Sequence, residues 1–158
     1  METEQTFART AEPATVADIE AFETRLSRQL PDDYKAHLLQ HNGGFPKRRT
    51  FFKDNEAFTL NKFFSVGNGN MTLDDARELT GGELHDDLVF FANETGGDLF
   101  VLSVGPKDYG SVYYIAHESY KPPKQKDMSV PGQYGKGVYY LAPSFTAFLD
   151  GLVRVEVA

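Results

Sequence analysis

LPDDYKAHLLQHNGG, residues 30–44, carries a full set of helix start and stop signals, and the rest of the chain is read outward from it. Pro31 suits the first turn of a helix, where its missing N–H would have no partner in any case. Asp32 and Asp33 follow at the positive end of the helix dipole. Tyr34, Leu38 and Leu39 supply an apolar face, and Asn42-Gly43 offers residues that tolerate the left-handed conformation ending a helix. The stretch builds structure and holds no reactive group.

On the N-terminal side, residues 1–14 are polar and are expected to form a loose arm. Thr15 then stands at an N-cap position with Asp18 three residues on, a variant of the capping box. At about 100° per residue, Val16, Ile19, Phe22, Leu26 and Leu30 share one stripe of a helix. On the C-terminal side the pattern changes from helical to extended. FF at 51–52 and AFTLNKFFSV at 57–66 favour strands, and Thr72 caps a short helix through Leu79. LVFFA (88–92), LFVLSV (99–104) and VYYIA (112–116) predict three more strands. NETGGD and GPKDYGS join them, both short enough for antiparallel hairpins. Residues 119–137 (SYKPPKQKDMSVPGQYGKG) form a long Pro-, Gly- and Lys-containing loop, and Val138 to Leu141 add an edge strand. Ser144 caps a last helix with Phe145, Phe148, Leu149, Leu152 and Val153 at amphipathic spacing. Two N-terminal helices, a run of strands around a short middle helix and a C-terminal amphipathic helix predict an α+β fold with a mainly antiparallel sheet. Residues 15–158 are expected to form one domain.

Composition narrows the function. The 158 residues include 23 acidic and 16 basic side chains, for a formal charge of −7. That balance disfavours nucleic acid and anionic membrane as partners, which select positive faces, and suits a basic protein. The chain has no Cys, which removes thiol nucleophiles, disulfides and Cys-ligated zinc. No basic and apolar leader opens the sequence and no run reaches 18 apolar residues, so a cytoplasmic protein is expected.

Chemistry-bearing residues are present without the company that catalysis needs. His37 and His41 have metal-sharing spacing, but the Glu of a zincin helix is absent, and they read as structural or surface histidines. Asp32–Asp33, Asp74–Asp75 and Asp86–Asp87 are sequence neighbours whose side chains usually diverge, and helix capping and solvation account for them. Gly96-Gly97-Asp98 lies between strands and lacks the helix and Lys-Ser/Thr of a phosphate loop. Lys121, Lys124, Lys126 and Lys136 read as a solvated loop. A carboxylate acting with His85 or His117 remains an acid–base alternative. No cofactor and no metal site is expected.

Taken together, these pieces resemble the SUKH superfamily of bacterial immunity proteins and fungal Smi/Knr cell-wall regulators. The likeness begins with Ile19, Phe22 and Glu23, runs through Leu26, Leu30-Pro31, Asp33-Tyr34-Lys35 and Leu38-Leu39, and reaches Asn42-Gly43-Gly44. It resumes at Asp87–Ala92, Gly96-Gly97-Asp98, Phe100 and Val112-Tyr113, and ends at Pro143-Ser144-Phe145, Phe148 and Leu149. It is looser over 45–85 and 119–137. The resemblance implies an α+β domain and, for bacterial members, binding and neutralisation of a toxin domain, often a nuclease. It thus implies an intracellular immunity protein, not an enzyme, whose partner is a cognate toxin domain; the alternative is a regulatory interaction module. Phosphate-mimicking acids are then expected at the partner surface: Asp74, Asp75, Glu78, Asp86 and Asp87, with Asp108 and Tyr109 from a hairpin turn.

Overall fold

A computed structural model describes residues 5–155. The N-terminal stretch read as a loose arm is attached from Gln5 onward. β1 (Phe7–Ala8) pairs with β2 (Phe45–Pro46), the Phe7 ring packs on His37, His41 and Phe63, and Ala11 N–H donates to the Asn42 carbonyl. Its first four residues, and 156–158 of the expected domain, lie outside the described residues.

Helix α1 (Val16–Leu26) starts with the expected reciprocal cap: Asp18 N–H donates to Thr15 Oγ1 and Thr15 N–H to Asp18 Oδ2. Ser27 ends it in the left-handed conformation. Ile19 and Phe22 face the core, whereas Val16, the first residue of the helix and counted in the same stripe, is 57% exposed. Helix α2 (Asp32–Gln40) begins one residue later than expected. Pro31, with φ −58° and ψ 144°, is the extended residue before the helix and not part of its first turn. Asp33 accepts the N–H and Oγ1–H of Thr146, both at 2.9 Å, so this carboxylate ties α2 to the C-terminal helix.

Asn42-Gly43-Gly44 has a tertiary purpose beyond helix termination. Asn42 is buried; its Nδ2 donates to the carbonyls of Glu12 and Val66, and its Oδ1 accepts Val66 N–H. One side chain thereby joins three chain segments. Gly44 has φ +105° and exchanges backbone hydrogen bonds with Phe63, and a Cβ there would lie 2.8 Å from the Ala8 carbonyl oxygen. Glycine is needed for the conformation and for the space.

The extended segments fall into two parts. β3 (Thr50–Lys53) and β4 (Glu56–Thr59) make a hairpin of their own. β5 (Lys62–Phe63), β6 (Leu88–Asn93), β7 (Leu99–Ser103), β8 (Val112–Ile115) and β9 (Val138–Ala142) form an antiparallel sheet in that order. The segment 57–66 is therefore two strands in different sheets, broken at Leu60-Asn61. Between β5 and β6, α3 (Leu73–Leu79) carries the Thr72/Asp75 capping box. After β9, α4 (Phe145–Asp150) is capped by Ser144 Oγ. It stops before Leu152 and Val153, and Val153 instead pairs with Thr50 through two backbone bonds.

The core is built from phenylalanine rings. Phe91 of β6 meets Tyr34 of α2 and Phe145 and Phe148 of α4 at 5.7–5.9 Å between centroids. Phe51 and Phe58 bring the β3–β4 hairpin onto Phe148 and Tyr114. Adjacent strand residues point to opposite faces, and on the other side of β8 Tyr113 packs against Tyr134 from the long loop. The fold is α+β and mainly antiparallel, as expected.

Candidate functional site

A cleft of about 960 Å³ opens between the C-terminal end of α1, helix α3 and the 125–129 part of the long loop. Four of the acids singled out in the sequence, Asp74, Asp75, Glu78 and Asp86, line it. Helix α3 supplies three of them: Asp74 and Asp75 lie in its first turn, and Glu78 follows Asp74 four residues on, along the same face. Asp75 spends one oxygen on Thr72 N–H (3.0 Å) and remains exposed. Asp74 makes a two-bond contact with Arg25, Nε at 2.9 Å and Nη2 at 2.5 Å, across the mouth of the cleft. Both partners of that pair are substantially solvated, so it is weak and salt-sensitive. Glu78 is exposed and makes no ion pair among the described residues. Asp86 accepts the Ser129 hydroxyl and so holds the 125–129 wall in place.

Three arginines share the cleft and were not anticipated: Arg25, Arg28 and Arg77. The only sequence signal for them was their position near the ends of helices. The rim is therefore mixed in charge, with four acids against three guanidinium groups.

Asp87 does not belong to this surface. It is 1% exposed, and its Oδ1 lies 2.6 Å from Arg28 Nη1 in an ion pair. A buried carboxylate already neutralised by an arginine presents nothing to a partner. Asp108 and Tyr109 lie outside the cleft. Asp108 is the acceptor of a hydroxyl cluster, taking bonds from Ser103 Oγ at 2.5 Å, Tyr134 OH at 2.7 and 2.8 Å, and Tyr113 OH. Burial, together with the hydrogen bond to Asp108, pushes the Tyr113 hydroxyl well above the usual phenol range and keeps it a donor. Tyr109 is half exposed and donates to the Gln29 carbonyl at 2.8 Å.

The histidines fall into three environments. His85 is 1% exposed; its Nδ1 accepts Asp87 N–H at 2.9 Å, so Nε2 carries the proton and donates to the Val130 carbonyl at 2.7 Å. Both ring nitrogens are occupied in holding loop to sheet. His117 is at the surface, with Nδ1 2.5 Å from Asp98 Oδ1 and its ring against Gly97. Burial raises the Asp98 pKa, but hydrogen bonds from Tyr114 and His117 outweigh it and hold the carboxyl below its ordinary range. The hydrogen bond to Asp98 raises the His117 pKa. His117 lines neither this cleft nor those beside His37 and beside Asn42. It closes the β6–β7 turn: Gly97 has φ +111°, and a Cβ there would sit 3.3 Å from the imidazole. That accounts for Gly97 within the Gly-Gly-Asp run. His37 is buried between Phe7, Phe63 and Phe145, its Nε2 without a partner, and burial pushes its pKa down to about 3, with His41 adding to the effect. Among the described residues, no three His, Asp or Glu side chains are grouped to hold a metal ion. No helix there is long and apolar enough to cross a membrane.

The capped helices, the Asn42-Gly43-Gly44 junction and the Gly97-Asp98 turn together form the framework that the sequence resemblance implied, and the SMI1 / KNR4 family (SUKH-1) model matches residues 13–151. The chain belongs to this family. No curated protein matches it. The SUKH match spans all three walls of the cleft, α1, α3 and residues 125–129, and every strand of the five-stranded sheet. Membership supports an immunity or Smi/Knr-type interaction module in general terms, and protein–protein contact as its mode of action.

Proposed function

We propose that this SUKH protein is an immunity protein that acts by stoichiometric binding, laying the acidic rim of its cleft over a toxin domain with a basic, nucleic-acid-binding surface. The observation that carries this reading is the convergence of Asp74, Asp75, Glu78 and Asp86 on one cleft in a chain of net charge −7. Carboxylates spaced along a helix offer a nuclease the negative charge it would otherwise find on phosphate, and the overall charge speeds encounter with a basic partner. Of the cleft's arginines, Arg25 pairs with Asp74 of the rim and Arg28 with buried Asp87, and Arg77 would contribute register by pairing with an acid of the partner. No chemical step is required of this chain: His85 and His117 are both engaged in holding backbone segments together.

The test is a pull-down from the native lysate at low and high salt, followed by co-expression of the recovered partner with the wild-type chain and with Glu78→Lys/Asp86→Lys. A partner that arrests growth alone, is silenced by the wild type and escapes the variant supports the proposal. A weakening of about tenfold or more per reversed pair is expected where close charges are desolvated. A partner harmless on its own shifts the reading to a regulatory module. A toxic partner silenced equally by the variant removes the cleft from the interface.

A further inference from the structure

Strand β9 is the outermost strand of the five-stranded sheet and pairs with β8 alone. Ala116 N–H donates to the Gly137 carbonyl at 3.0 Å, which sets the phase of the ladder. With Ile115 opposite Val138 and Tyr114 opposite Tyr139, the bonded positions on β9 are Gly137 and Tyr139. The backbone N–H and C=O groups of Val138 and Tyr140 therefore point away from the sheet. Among the described residues no hydrogen bond reaches them. An unpaired row of this kind is a template for another strand.

Two features select what could fill it. Val138–Ala142 contains neither charge nor proline, and Tyr139 and Tyr140 are 48% and 44% exposed, one on each face, where they would flank an added strand. Several lysines stand near this edge in a protein that is acidic overall. Lys53 Nζ lies 5.5 Å from the Tyr140 ring centroid, and Lys121 and Lys136 are paired backbone to backbone just before β9 begins. Residues 119–137 hold Lys121, Lys124, Lys126 and Lys136 against Asp127 alone, and none of these lysines is in an ion pair among the described residues. A second copy of the chain would set two such lysine groups along one junction and be repelled.

We propose that the β9 edge takes up an extended acidic segment of another protein as an additional strand, with main-chain bonds to Val138 and Tyr140 and lysines flanking its carboxylates. This surface is separate from the cleft, and the proposal does not rest on the toxin reading.

Labelled heptapeptides, EVEVEVE and KVKVKVK, are titrated into the full chain by fluorescence anisotropy, and backbone amide exchange is followed by NMR. The acidic peptide should bind with a Kd of about 10–100 µM, weaken several-fold as salt rises from about 50 to about 200 mM, and slow exchange at Val138 and Tyr140. Tyr140→Pro removes an outward N–H and spares the bonds to β8, as proline at an edge position allows; it should weaken binding about tenfold. If that variant does not fold, Lys121→Glu/Lys136→Glu and the exchange data on the wild type decide. Equal binding of the lysine peptide, no binding at about 1 mM, or binding that leaves the Val138 and Tyr140 amides unprotected overturns the proposal. So does protection that grows with protein concentration alone, which would make a second copy the occupant.

Discussion

His37 should make this fold lose stability as the pH falls, by an amount set by its burial. The imidazole is 6% exposed, packed against Phe7, Phe63 and Phe145, and its Nε2 finds no hydrogen-bond partner. Burial, reinforced by neighbouring His41, lowers its pKa from 6.5 to about 3. In the unfolded chain the ring takes up a proton below about pH 6.5, while in the folded chain it stays neutral until about pH 3. Acid therefore favours the unfolded state throughout that window, at about 1.4 kcal/mol per pH unit. Between pH 7.5 and pH 4.5 the accumulated loss is on the order of 3 kcal/mol. Carboxylates titrate in the same range, so the informative quantity is a difference between proteins. His37→Phe keeps an aromatic ring in the site and has nothing to protonate. Urea unfolding of both proteins at pH 7.5 and pH 4.5 should show the variant gaining on the order of 3 kcal/mol on the wild type across the interval. At pH 7.5 the variant should be close to the wild type or slightly more stable, because the orphaned nitrogen is removed. Parallel pH dependence in the two proteins would refute the buried, neutral description of His37.

Asn42→Ala removes three side-chain hydrogen bonds to Glu12 and Val66 and leaves buried backbone groups without partners; a loss of about 2–4 kcal/mol is expected in urea unfolding, and a loss under about 0.5 kcal/mol would show that Asn42 does not join the segments. Arg28→Ala strands the Asp87 carboxylate, 2% exposed, without its counter-ion, and should cost about 3 kcal/mol. Adding Asp87→Asn should recover part of that loss, and a double variant no more stable than the single one would show that the pair is not coupled.

Much of the framework was legible because its causes are local. Thr15 with Asp18, Thr72 before a seven-residue helix and Ser144 before Phe145 are caps that act within one turn. Alternating and aromatic-rich runs marked β6, β7, β8 and β9, and the short turns between β6, β7 and β8 imposed antiparallel pairing. The errors at the edges have the same origin in reverse. Val153 has helical spacing but pairs with Thr50, a residue about a hundred positions away, which no local rule can register. The stretch before Thr15 is polar and looks unattached, yet Phe7 and Ala8 find a partner strand in Phe45–Pro46.

The site divides along the same line. Sequence alone determined that acids cluster near α3 and near the start of β6. Only the tertiary structure decided that Asp74, Asp75, Glu78 and Asp86 face one cleft, that Arg25, Arg28 and Arg77 join them, and that Asp87 turns inward to meet Arg28. Asp86 and Asp87 are neighbours in the chain with opposite fates. The chain enters β6 there, successive side chains point to opposite sides of an extended backbone, and only the packed structure says which side holds water. Caps and turns are settled within a few residues; burial depends on which distant segments close over a side chain.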